Sequence, residues 1–244
     1  MKIGILGAGN IGTTLAQKLA AAGHDVKVAN SRGPETISAE ALETGARAAT
    51  AEDAVVNVDV AILSMPATGF EKVRPLIAAL PEAAVVIDTS NYFPNRDGAN
   101  PEIEAGKVES VWLQEYLGRQ VTKAWNAIFM QSFAEKGLPK GQHGRIAVPI
   151  AGDRPQDREI AMRLMDDTGF DGFDAGPLSE SWRQQPGSPV YCTDLTYDEM
   201  GPALAAAERK RLPKRRELAA AVFAERIGQW DKETVVRISR ALFM

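Results

Sequence analysis

Three glycines near the start of the chain have the spacing of a phosphate-binding turn. They lie in a run that follows a short apolar segment and opens a helical pattern. In such a turn the first glycine permits a tight bend, the second lets the backbone approach a pyrophosphate, and the third lets the helix pack closely on the strand. The positive end of the helix dipole then faces the phosphate. The sequence predicts a dinucleotide site, with a purely structural turn as the alternative, at Gly7, Ala8, Gly9, Asn10, Ile11 and Gly12.

The residues after the second predicted strand indicate which dinucleotide is bound. A site specific for NAD places an Asp or Glu about 20 residues after the glycines, where the carboxylate bonds the ribose hydroxyls. This chain has Asn30, Ser31 and Arg32 there instead. A guanidinium binds a phosphate bidentately and a serine hydroxyl donates to it, so these residues suit a 2′-phosphate. The sequence therefore predicts NADP(H) as the cofactor, and an exposed arginine without a ligand is the alternative.

Residues that follow two later apolar runs are also expected at the site. Ser64, Met65 and Pro66 follow one run, and Thr89 and Asn91 follow the next. In open parallel sheets, ligands bind outside the carboxyl ends of the strands, so these residues should face the cofactor. Pro66 would form an apolar wall for the nicotinamide, while Thr89 and Asn91 would hold ribose or carboxamide groups. Ordinary turn chemistry explains each of these residues equally well.

The elements that position these residues alternate between strands and helices. Apolar runs of strand length predict strands at 2–6, 26–29, 59–64, 84–88, 120–124, 145–150 and 170–174. Helical patterns are predicted at 12–23, 34–44, 50–56, 68–80, 128–136 and 155–168. This alternation predicts an α/β fold of the Rossmann type, with a doubly wound, mainly parallel sheet.

The C-terminal part of the chain departs from this alternation. Residues 176–195 are rich in Gly, Pro and Ser and are predicted as a long loop. Helices are predicted after it at 197–211, 214–229 and 231–243. We therefore predict an NADP-binding domain at 1–125 and a substrate-covering α/β extension at 126–244, with a helical annex from about residue 197. Core or subunit contacts are expected at Trp182, Trp230 and Phe243.

Composition argues against several classes of function. Lys+Arg 28 against Asp+Glu 32 gives a net charge of −4, which does not favour nucleic acid as a partner. A single cysteine, Cys192, and two distant histidines argue against metal sites. No apolar run is long enough for a membrane span, and we expect a cytoplasmic protein. The cations at 209–216 are interpreted as a solvated linker broken at Pro213.

No residue pair identifies a catalytic group. None of the tyrosines has the lysine four residues later that short-chain dehydrogenases require. Lys123 and Asn126 have the spacing of a carbonyl-polarising pair, but residues three apart on a strand point to opposite faces. The sequence therefore favours an acceptor that takes a bare hydride at an electrophilic ring carbon, such as a flavin-like ring. The alternatives are reduction of a small carbonyl or imine, with Tyr191, Lys123 or His143 as proton donor, and a non-catalytic NADP sensor.

Several segments together resemble the NADP-dependent oxidoreductases of the deazaflavin coenzyme F-420. They are the glycine run, residues 30–32, 62–66 and 121–128, and the segments PIAGD at 149–153 and DAGPLS at 174–179. The resemblance runs from Met1 to about Ser181. It implies that residues 8–11, Ser31 and Arg32 bind NADP. It also implies that nicotinamide and deazaflavin meet beside Asn126, Ala127, Ile128 and Leu178.

The sequence departs from the family pattern in two places. The residue at Asn126 is often a histidine in enzymes that use the deazaflavin, and the chain after Ser181 is far longer than theirs. The related reductase domains of STEAP proteins pass hydride to a flavin, so the fold leaves the acceptor open. Tyr191, in the added region, is expected to line the substrate site.

Apolar residues of the annex recur at helical intervals in helices too short to bury a core of their own. They are Leu204, Leu218, Val222, Ile227, Val235, Ile238 and Leu242. We therefore expect a homodimer in which the annex of one chain packs near the cleft of the other. Folding of the annex onto its own sheet is the alternative.

Overall fold

An eight-stranded sheet organises the computed structural model, which describes residues 1–225 and 231–244. The strands are β1 (Lys2–Leu6), β2 (Asp25–Ala29), β3 (Arg47–Ala48), β4 (Val60–Leu63), β5 (Val85–Asp88), β6 (Thr122–Lys123), β7 (Ala147–Gly152) and β8 (Asp171–Asp174). Their order in the sheet is β3-β2-β1-β4-β5-β6-β7-β8. Strands β1 to β6 are parallel, β7 pairs antiparallel with β6, and β8 runs parallel to β7.

Helices connect the strands and extend beyond them. They are α1 (Asn10–Ala21), α2 (Ala39–Leu42), α3 (Ala51–Ala54), α4 (Phe70–Ala78), α5 (Pro94–Asp97), α6 (Pro101–Glu104), α7 (Glu109–Leu117), α8 (Met130–Glu135), α9 (Pro155–Asp167), α10 (Tyr197–Ala205), α11 (Leu212–Ala224) and α12 (Lys232–Phe243). Short 3-10 helices lie at Pro34–Thr36, Ala67–Gly69, Leu178–Gln184 and Arg209–Arg211.

Both faces of the sheet are buried, which explains why the strands are apolar without interruption. Ile3 and Ile5 of β1 pack into one core cluster, while Leu6 packs into another. Strand β4 divides in the same way, with Ile62 in the first cluster and Leu63 in the second. Because successive side chains of a strand point to opposite faces, α1 and α9 cover one face and α4 and α7 the other.

The strand order creates a crevice at the carboxyl ends of the parallel strands. The order β3-β2-β1-β4-β5-β6 is that of dinucleotide-binding folds. From β1 the chain adds β2 and β3 on one side of the sheet, and it then adds β4, β5 and β6 on the other side. Ligands of such sheets bind outside the strand ends at this point. The predicted Rossmann-type α/β fold with a mainly parallel sheet is confirmed.

Two parts of the first half differ from the sequence prediction. The helix predicted at 34–44 is a 3-10 helix followed by α2, because Ile37 is extended and the Ser38 side chain caps a new helix by accepting from the Ala41 N–H. The prediction assigned nothing to the segment between Tyr92 and Leu117, where α5, α6 and α7 lie, and it also missed β3.

The C-terminal helices also begin and end elsewhere than predicted. Helix α10 ends at Ala205 rather than at 211, and the predicted loop at 176–195 contains the 3-10 helix Leu178–Gln184. Pro213 does not break a linker, because it lies in the first turn of α11. The N–H groups of this turn have no partner within the helix, so a proline costs no hydrogen bond there. The helix predicted at 214–229 extends beyond the described residues.

The annex folds back on its own chain. Met200 and Leu204 of α10 pack in a buried cluster with Ala147 of β7 and with Val190 and Leu195 of the preceding loop. The Arg240 guanidinium of α12 donates to the Thr193 carbonyl oxygen at 2.7 Å and to the Asp194 carbonyl oxygen at 3.0 Å. This arrangement is the alternative to an annex that packs only on a second subunit, and the homodimer itself stays a prediction.

The residues predicted as annex contacts have different degrees of burial. Val235 and Phe243 are buried, as is Trp182 before the annex, whereas Leu218 is 51% exposed. Val222, Ile238 and Leu242 are half-buried. Ile227 and Trp230 lie outside the described residues.

The sheet continues through the predicted domain boundary near Trp125, since β6 pairs with β5 on one side and β7 on the other. The division into 1–125 and 126–244 stays a prediction. Within residues 1–225 and 231–244, no helix has the length and apolar character needed to span a membrane. The same residues contain no group of His, Cys, Asp and Glu arranged to hold a metal ion.

Candidate dinucleotide site

The three glycines of the turn lack a side chain for three different reasons. A Cβ on Gly7, whose φ is 114°, would lie 2.0 Å from the Ser64 carbonyl oxygen, because the turn packs on the end of β4. A Cβ on Gly12 would lie 1.9 Å from the Gly7 carbonyl oxygen, because α1 packs directly on the turn. A Cβ on Gly9 would meet no atom within 4 Å. Of the three, Gly9 alone faces open space, where a pyrophosphate would approach the backbone.

The start of α1 suits an anion. Its N-cap is Gly9, which has no side chain to accept from the first N–H groups of the helix. The first turn of α1 carries no acidic residue. The first N–H groups of a helix have no partner within it, and the helix dipole adds positive charge there. This arrangement is the one that binds phosphate groups at helix N-termini.

Asn30 shapes the loop after β2. Its Oδ1 accepts from the Arg32 backbone N–H at 2.9 Å, and its Nδ2 donates to Thr36 Oγ1 at 2.9 Å. Thr36 Oγ1 in turn donates to the Gly33 carbonyl oxygen at 2.8 Å. The side chain of Asn30 therefore holds the loop together, and the loop presents Ser31 and Arg32.

Ser31 and Arg32 are exposed at this strand end. The Arg32 guanidinium has no hydrogen-bond or ion-pair partner among the described residues, so it is available for a phosphate. The sequence argument overlooked one carboxylate on the same loop, that of Glu35. Glu35 Oε1 lies 2.5 Å from the place where a Cβ on Gly33 would be. The loop thus combines a free cation with a nearby negative charge.

A cleft of about 350 Å³ opens outside the ends of β4, β5 and β6. It is lined by segments that are far apart in the sequence. From the predicted residues it brings together Gly9, Asn10, Ile11, Ser64, Met65, Pro66, Thr89, Asn91, Asn126, Ile128 and Tyr191. Arg96 is the one charged side chain among the described residues that line it. The cleft is thus a neutral to positive chamber next to the uncapped start of α1.

Some predicted residues do not line this cleft. Ala127 is buried, and its carbonyl oxygen accepts from the Cys192 N–H at 2.7 Å. Leu178 is fully buried in the second core cluster, and its N–H donates to Asp153 Oδ1 at 2.9 Å. Because β7 and β8 run opposite to the other strands, β8 ends on the side of the sheet where β1 to β6 begin, away from the cleft at their carboxyl ends. The structure therefore places Leu178 away from the cleft that it was expected to line.

Sequence reasoning missed several residues of the cleft, namely Ser90, Phe93, Arg96, Trp125, Phe129, Met130 and Cys192. Phe93 and Arg96 belong to the segment that received no assignment. Arg96 stacks over the Phe93 ring at 5.1 Å from its centroid and forms an ion pair with Asp97 at 2.8 Å. The Phe-Pro dipeptide at 93–94, which starts α5 after a strand end, was the available signal.

A network of three amides closes the floor of the cleft. Asn91 Nδ2 donates to the Asn126 carbonyl oxygen at 2.9 Å, and Asn126 Nδ2 donates to Asn91 Oδ1 at 3.0 Å. Gln184 Nε2 donates to Asn126 Oδ1 at 2.8 Å, and Asn126 Nδ2 donates to the Gln184 carbonyl oxygen at 2.8 Å. The amide of Asn126 is thus fully used inside the protein. Its role here is to fix the cleft wall, because no amide hydrogen is left for a ligand.

Lys123 is held in a buried ion pair below this floor. Its Nζ lies 2.7 Å from Asp88 Oδ2, and both side chains are 1% exposed. The ammonium also donates to the Ser90 carbonyl oxygen, while the Ser90 N–H donates to Asp88 Oδ1 at 2.9 Å. The pair therefore clamps the loop after β5. Lys123 does not line the cleft, because its ammonium is held by Asp88 and the Ser90 carbonyl oxygen.

A third buried charge group lies next to this clamp. Glu109, at the start of α7, accepts from the Tyr92 N–H at 3.1 Å and is 8% exposed. Burial raises the pKa of Glu109 to about 7, against the attraction of Lys123, the Tyr92 hydrogen bond and Arg216, which lower it. A group with this pKa changes its charge near neutral pH, directly behind the residues that line the cleft.

Tyr191 and Cys192 close the far side of the cleft. The Tyr191 hydroxyl lies 3.4 Å from Asn91 Nδ2, and burial raises the pKa of this phenol well above its usual range. Burial likewise raises the pKa of the Cys192 thiol, so both groups stay protonated at neutral pH. Cys192 and Trp125 have φ values of 56° and 55°, which non-glycine residues rarely adopt. Backbone strain of this kind costs about 1–3 kcal/mol per residue and clusters at functional sites.

The family described as NADP oxidoreductase, coenzyme F420-dependent, matches residues 2–92 of the chain. The resemblance is confirmed for that segment. It includes the glycine turn, the loop after β2 and the ends of β4 and β5. Helices α5 to α12 lie outside it.

A curated relative, the protein YjhV of Escherichia coli strain K12, is 46% identical over 80 residues. The match covers 31% of this chain and 58% of YjhV. The chain therefore spans little more than half the length of that relative.

Solved structures resemble a larger part of the chain. The protein SMa0349 of Sinorhizobium meliloti is 26% identical with a TM-score of 0.66, over 80% of this chain and 95% of that one. A protein of Arthrobacter sp. FB24, proposed to be an F-420-dependent NADP reductase, is 20% identical with a TM-score of 0.57, over 91% and 94% of the two chains. An imine reductase of Myxococcus stipitatus in complex with NADP+ is 13% identical with a TM-score of 0.53, over 99% and 73%. The last two share the fold with this chain, and both are named as reductases.

Proposed function

We propose that the protein is an NADP(H)-dependent oxidoreductase that transfers a hydride between the nicotinamide and a deazaflavin, such as coenzyme F-420, or a flavin-like ring. The observation that carries the proposal is the open space above Gly9 at the uncapped start of α1. Exposed Ser31 and Arg32 at the end of β2 favour the 2′-phosphate of NADP. The family matched by residues 2–92 supports the same cofactor and class of reaction.

Each part of the cleft has a task in this proposal. The N–H groups at the start of α1 bind the pyrophosphate, and Arg32 binds the 2′-phosphate. Pro66 and Thr89 flank the nicotinamide at the strand ends. Bound NADPH supplies a hydride from its nicotinamide ring, and the acceptor gains that hydride together with one proton. The clamp of Asp88 and Lys123 and the amides below the cleft keep these residues in place.

Calorimetric titration of the full chain with NADPH and NADH tests the cofactor, and oxidation of NADPH in the presence of F-420 or FMN tests the acceptor. Tight binding of NADPH and turnover with a ring acceptor are expected. Failure of NADPH to bind would refute the proposal. Tight binding without turnover on either ring or on a panel of carbonyls would instead indicate a non-catalytic NADP sensor.

Reduction of a small carbonyl or imine is the second candidate, and the position of Tyr191 favours it. Of the proton donors considered from the sequence, Tyr191 lies in the cleft, whereas Lys123 is clamped below it and His143 is exposed outside it. A phenol that stays protonated is able to donate a proton to a developing alkoxide or amine. Tyr191→Phe would then abolish turnover of a carbonyl and leave NADPH binding unchanged.

We also propose that the protein works in the cytoplasm as a homodimer. The single cysteine is buried and protonated, so the chain does not depend on an oxidising compartment for disulfides. The dimer is proposed because Leu218 and its neighbours on the outer face of α11 are uncovered in one chain.

A further inference from the structure

A second cavity adjoins the cleft on the side away from the glycine turn. It has a volume of about 330 Å³ and lies between the loop around Tyr191 and the annex helices α11 and α12. We call it the annex pocket. Phe93, Phe129 and Met130 line both cavities, as do Tyr191 and Cys192. The annex pocket therefore shares a wall with the cleft in which the proposed function puts the nicotinamide.

The wall contributed by the annex is apolar and aromatic. Phe223 of α11 and Val235 and Phe243 of α12 face the pocket. The Phe243 ring packs against Tyr191, with their centroids 6.5 Å apart. Aromatic rings and a methionine next to one another favour a flat, polarisable ligand, through offset stacking and sulfur contacts.

Two polar groups stand out against this apolar wall. Ser239 of α12 is 1% exposed, lines the pocket, and its Oγ has no hydrogen-bond partner among the described residues. A buried hydroxyl without a partner is rare, because it costs about 1–3 kcal/mol, and it calls for a ligand that supplies the missing bond. The second group is Arg216, the one charged residue among the described residues of the pocket lining. It stacks over the Tyr92 ring at 5.7 Å from the centroid.

We infer that the annex pocket binds the ring of the hydride acceptor, a planar system of two or three fused rings with a carbonyl edge that meets Ser239 and Arg216. The inference rests on the proposed function, since it needs a nicotinamide in the adjoining cleft. A cavity of about 330 Å³ that opens to solvent suits a bare ring system, with a phosphate-bearing tail extending into solvent.

The charge of the pocket fits the same class of acceptor. A ring that accepts a hydride gains one negative charge, as the nicotinamide gains one positive charge, until the ring takes a proton from water. Arg216 supplies a positive charge for this anion, and no carboxylate from the described residues lines the pocket to oppose it. Flavin, deazaflavin and quinone rings share this chemistry. The side chains that line the annex pocket would therefore recognise the ring of the acceptor and not its tail.

The test uses lumichrome, the three-ring nucleus of a flavin without a side chain, and a variant that fills the pocket. Ala220 and Ala221 of α11 are both exposed, but Ala220 lines the pocket and Ala221 lines neither the pocket nor the cleft. Ala220→Phe should weaken lumichrome binding at least tenfold, measured by fluorescence titration of the full chain. Ala221→Phe is the matched control and should bind lumichrome like the wild type. Both variants should bind NADPH normally, because neither position touches the cleft.

Turnover with riboflavin, F-420 and the quinone menadione then distinguishes the source of the ring. Ser239→Ala should weaken lumichrome about threefold to tenfold while raising the melting temperature, because it removes an unpartnered hydroxyl. If lumichrome does not bind, or binds Ala220→Phe and wild type equally, the annex pocket is not the ring site. Failure of NADPH to bind is a separate result, since it refutes the proposed function and is measured without lumichrome.

Discussion

Residues 2–92 and the region from residue 126 onward hold their functional groups in different ways. In the first region the groups are mainly backbone N–H groups at the start of α1. They face the open space next to Gly9. In the second, they are side chains placed by distant contacts, such as Asn126, which bonds Gln184 58 positions away. The matched family covers the first region. In the proposed function, cofactor binding therefore depends on a local turn, whereas acceptor binding depends on the tertiary structure of this particular chain.

Substitution of Gly9 tests the cofactor half of this comparison and has the largest expected effect. Gly9→Val should weaken NADPH and NADH by about 100-fold or more, because the branched side chain occupies the space where the pyrophosphate meets the backbone. The fold should persist, since Gly9 has a φ of −81° and an added Cβ meets no atom within 4 Å. Calorimetric titration and circular dichroism measure the two effects.

Gly12→Val is the contrasting control for this prediction. Its Cβ would lie 1.9 Å from the Gly7 carbonyl oxygen, so it should destabilise the fold as well as abolish binding. Wild-type affinity for NADPH in Gly9→Val would show that the glycine turn is not a cofactor site.

Glu109 gives the junction between the two regions its own dependence on pH. Burial raises its pKa from 4.5 to about 7, so the folded state keeps a proton that the unfolded state has lost between these values. Stability should therefore fall as pH rises from about 4.5 to 7, by at most about 3 kcal/mol, and then level off. Glu109→Gln holds the group neutral and should remove this fall, making the variant the more stable protein above pH 7.

Urea unfolding of wild type and Glu109→Gln at pH 5 and pH 8 measures the difference. The variant should gain stability relative to wild type at the higher pH only. An equal difference at both values would mean that Glu109 does not titrate in this range.

Arg32 tests whether the loop after β2 selects NADP. Arg32→Ala should lose about 1.5–3 kcal/mol of NADPH affinity, the range for hydrogen bonds to charged groups, and leave NADH nearly unchanged. The wild type should prefer NADPH over NADH at least tenfold. Glu35→Gln sharpens the test, because removal of the carboxylate near Gly33 should tighten NADPH and not NADH. Equal affinities of the wild type for both cofactors would contradict the assignment.

A substitution in the annex tests the other half of the comparison through the oligomeric state. It has the smallest expected effect on the stability of the single chain. Leu218 is 51% exposed, and we predict that its face of α11 lies in a dimer interface. Leu218→Glu should convert a dimer into a monomer in light scattering, with little change in melting temperature. Truncation after Leu195 is a less clean test, since it would remove Met200 and Leu204 and so uncover the buried residues Ala147, Val190 and Leu195 that pack with them. A wild-type monomer at micromolar concentration would refute the dimer.

The sequence predicted those features that arise from short-range pattern. The glycine spacing, the apolar strands and the polar residues after them were sufficient to predict the sheet, and most of the residues predicted at the strand ends line one cleft. The segment from Tyr92 to Leu117 escaped prediction because its helices α5 and α6 are single turns started by prolines, without an apolar periodicity. The annex pocket also escaped it, since the unpartnered state of Ser239 depends on neighbours that are remote in sequence.

The reversal of β7 has a consequence for how the two halves can change independently. Since β7 and β8 run against the other strands, the chain leaves β8 at the edge of the sheet opposite to the cleft and must return along its side to reach Tyr191. This return path, residues 175–190, contributes no strand to the sheet. Insertions or exchanges within it that keep Gln184, which bonds Asn126, would reposition Tyr191 and reshape the annex pocket without disturbing the strand ends. We therefore expect that grafting this segment and the annex between relatives would transfer acceptor preference while leaving cofactor preference with the recipient.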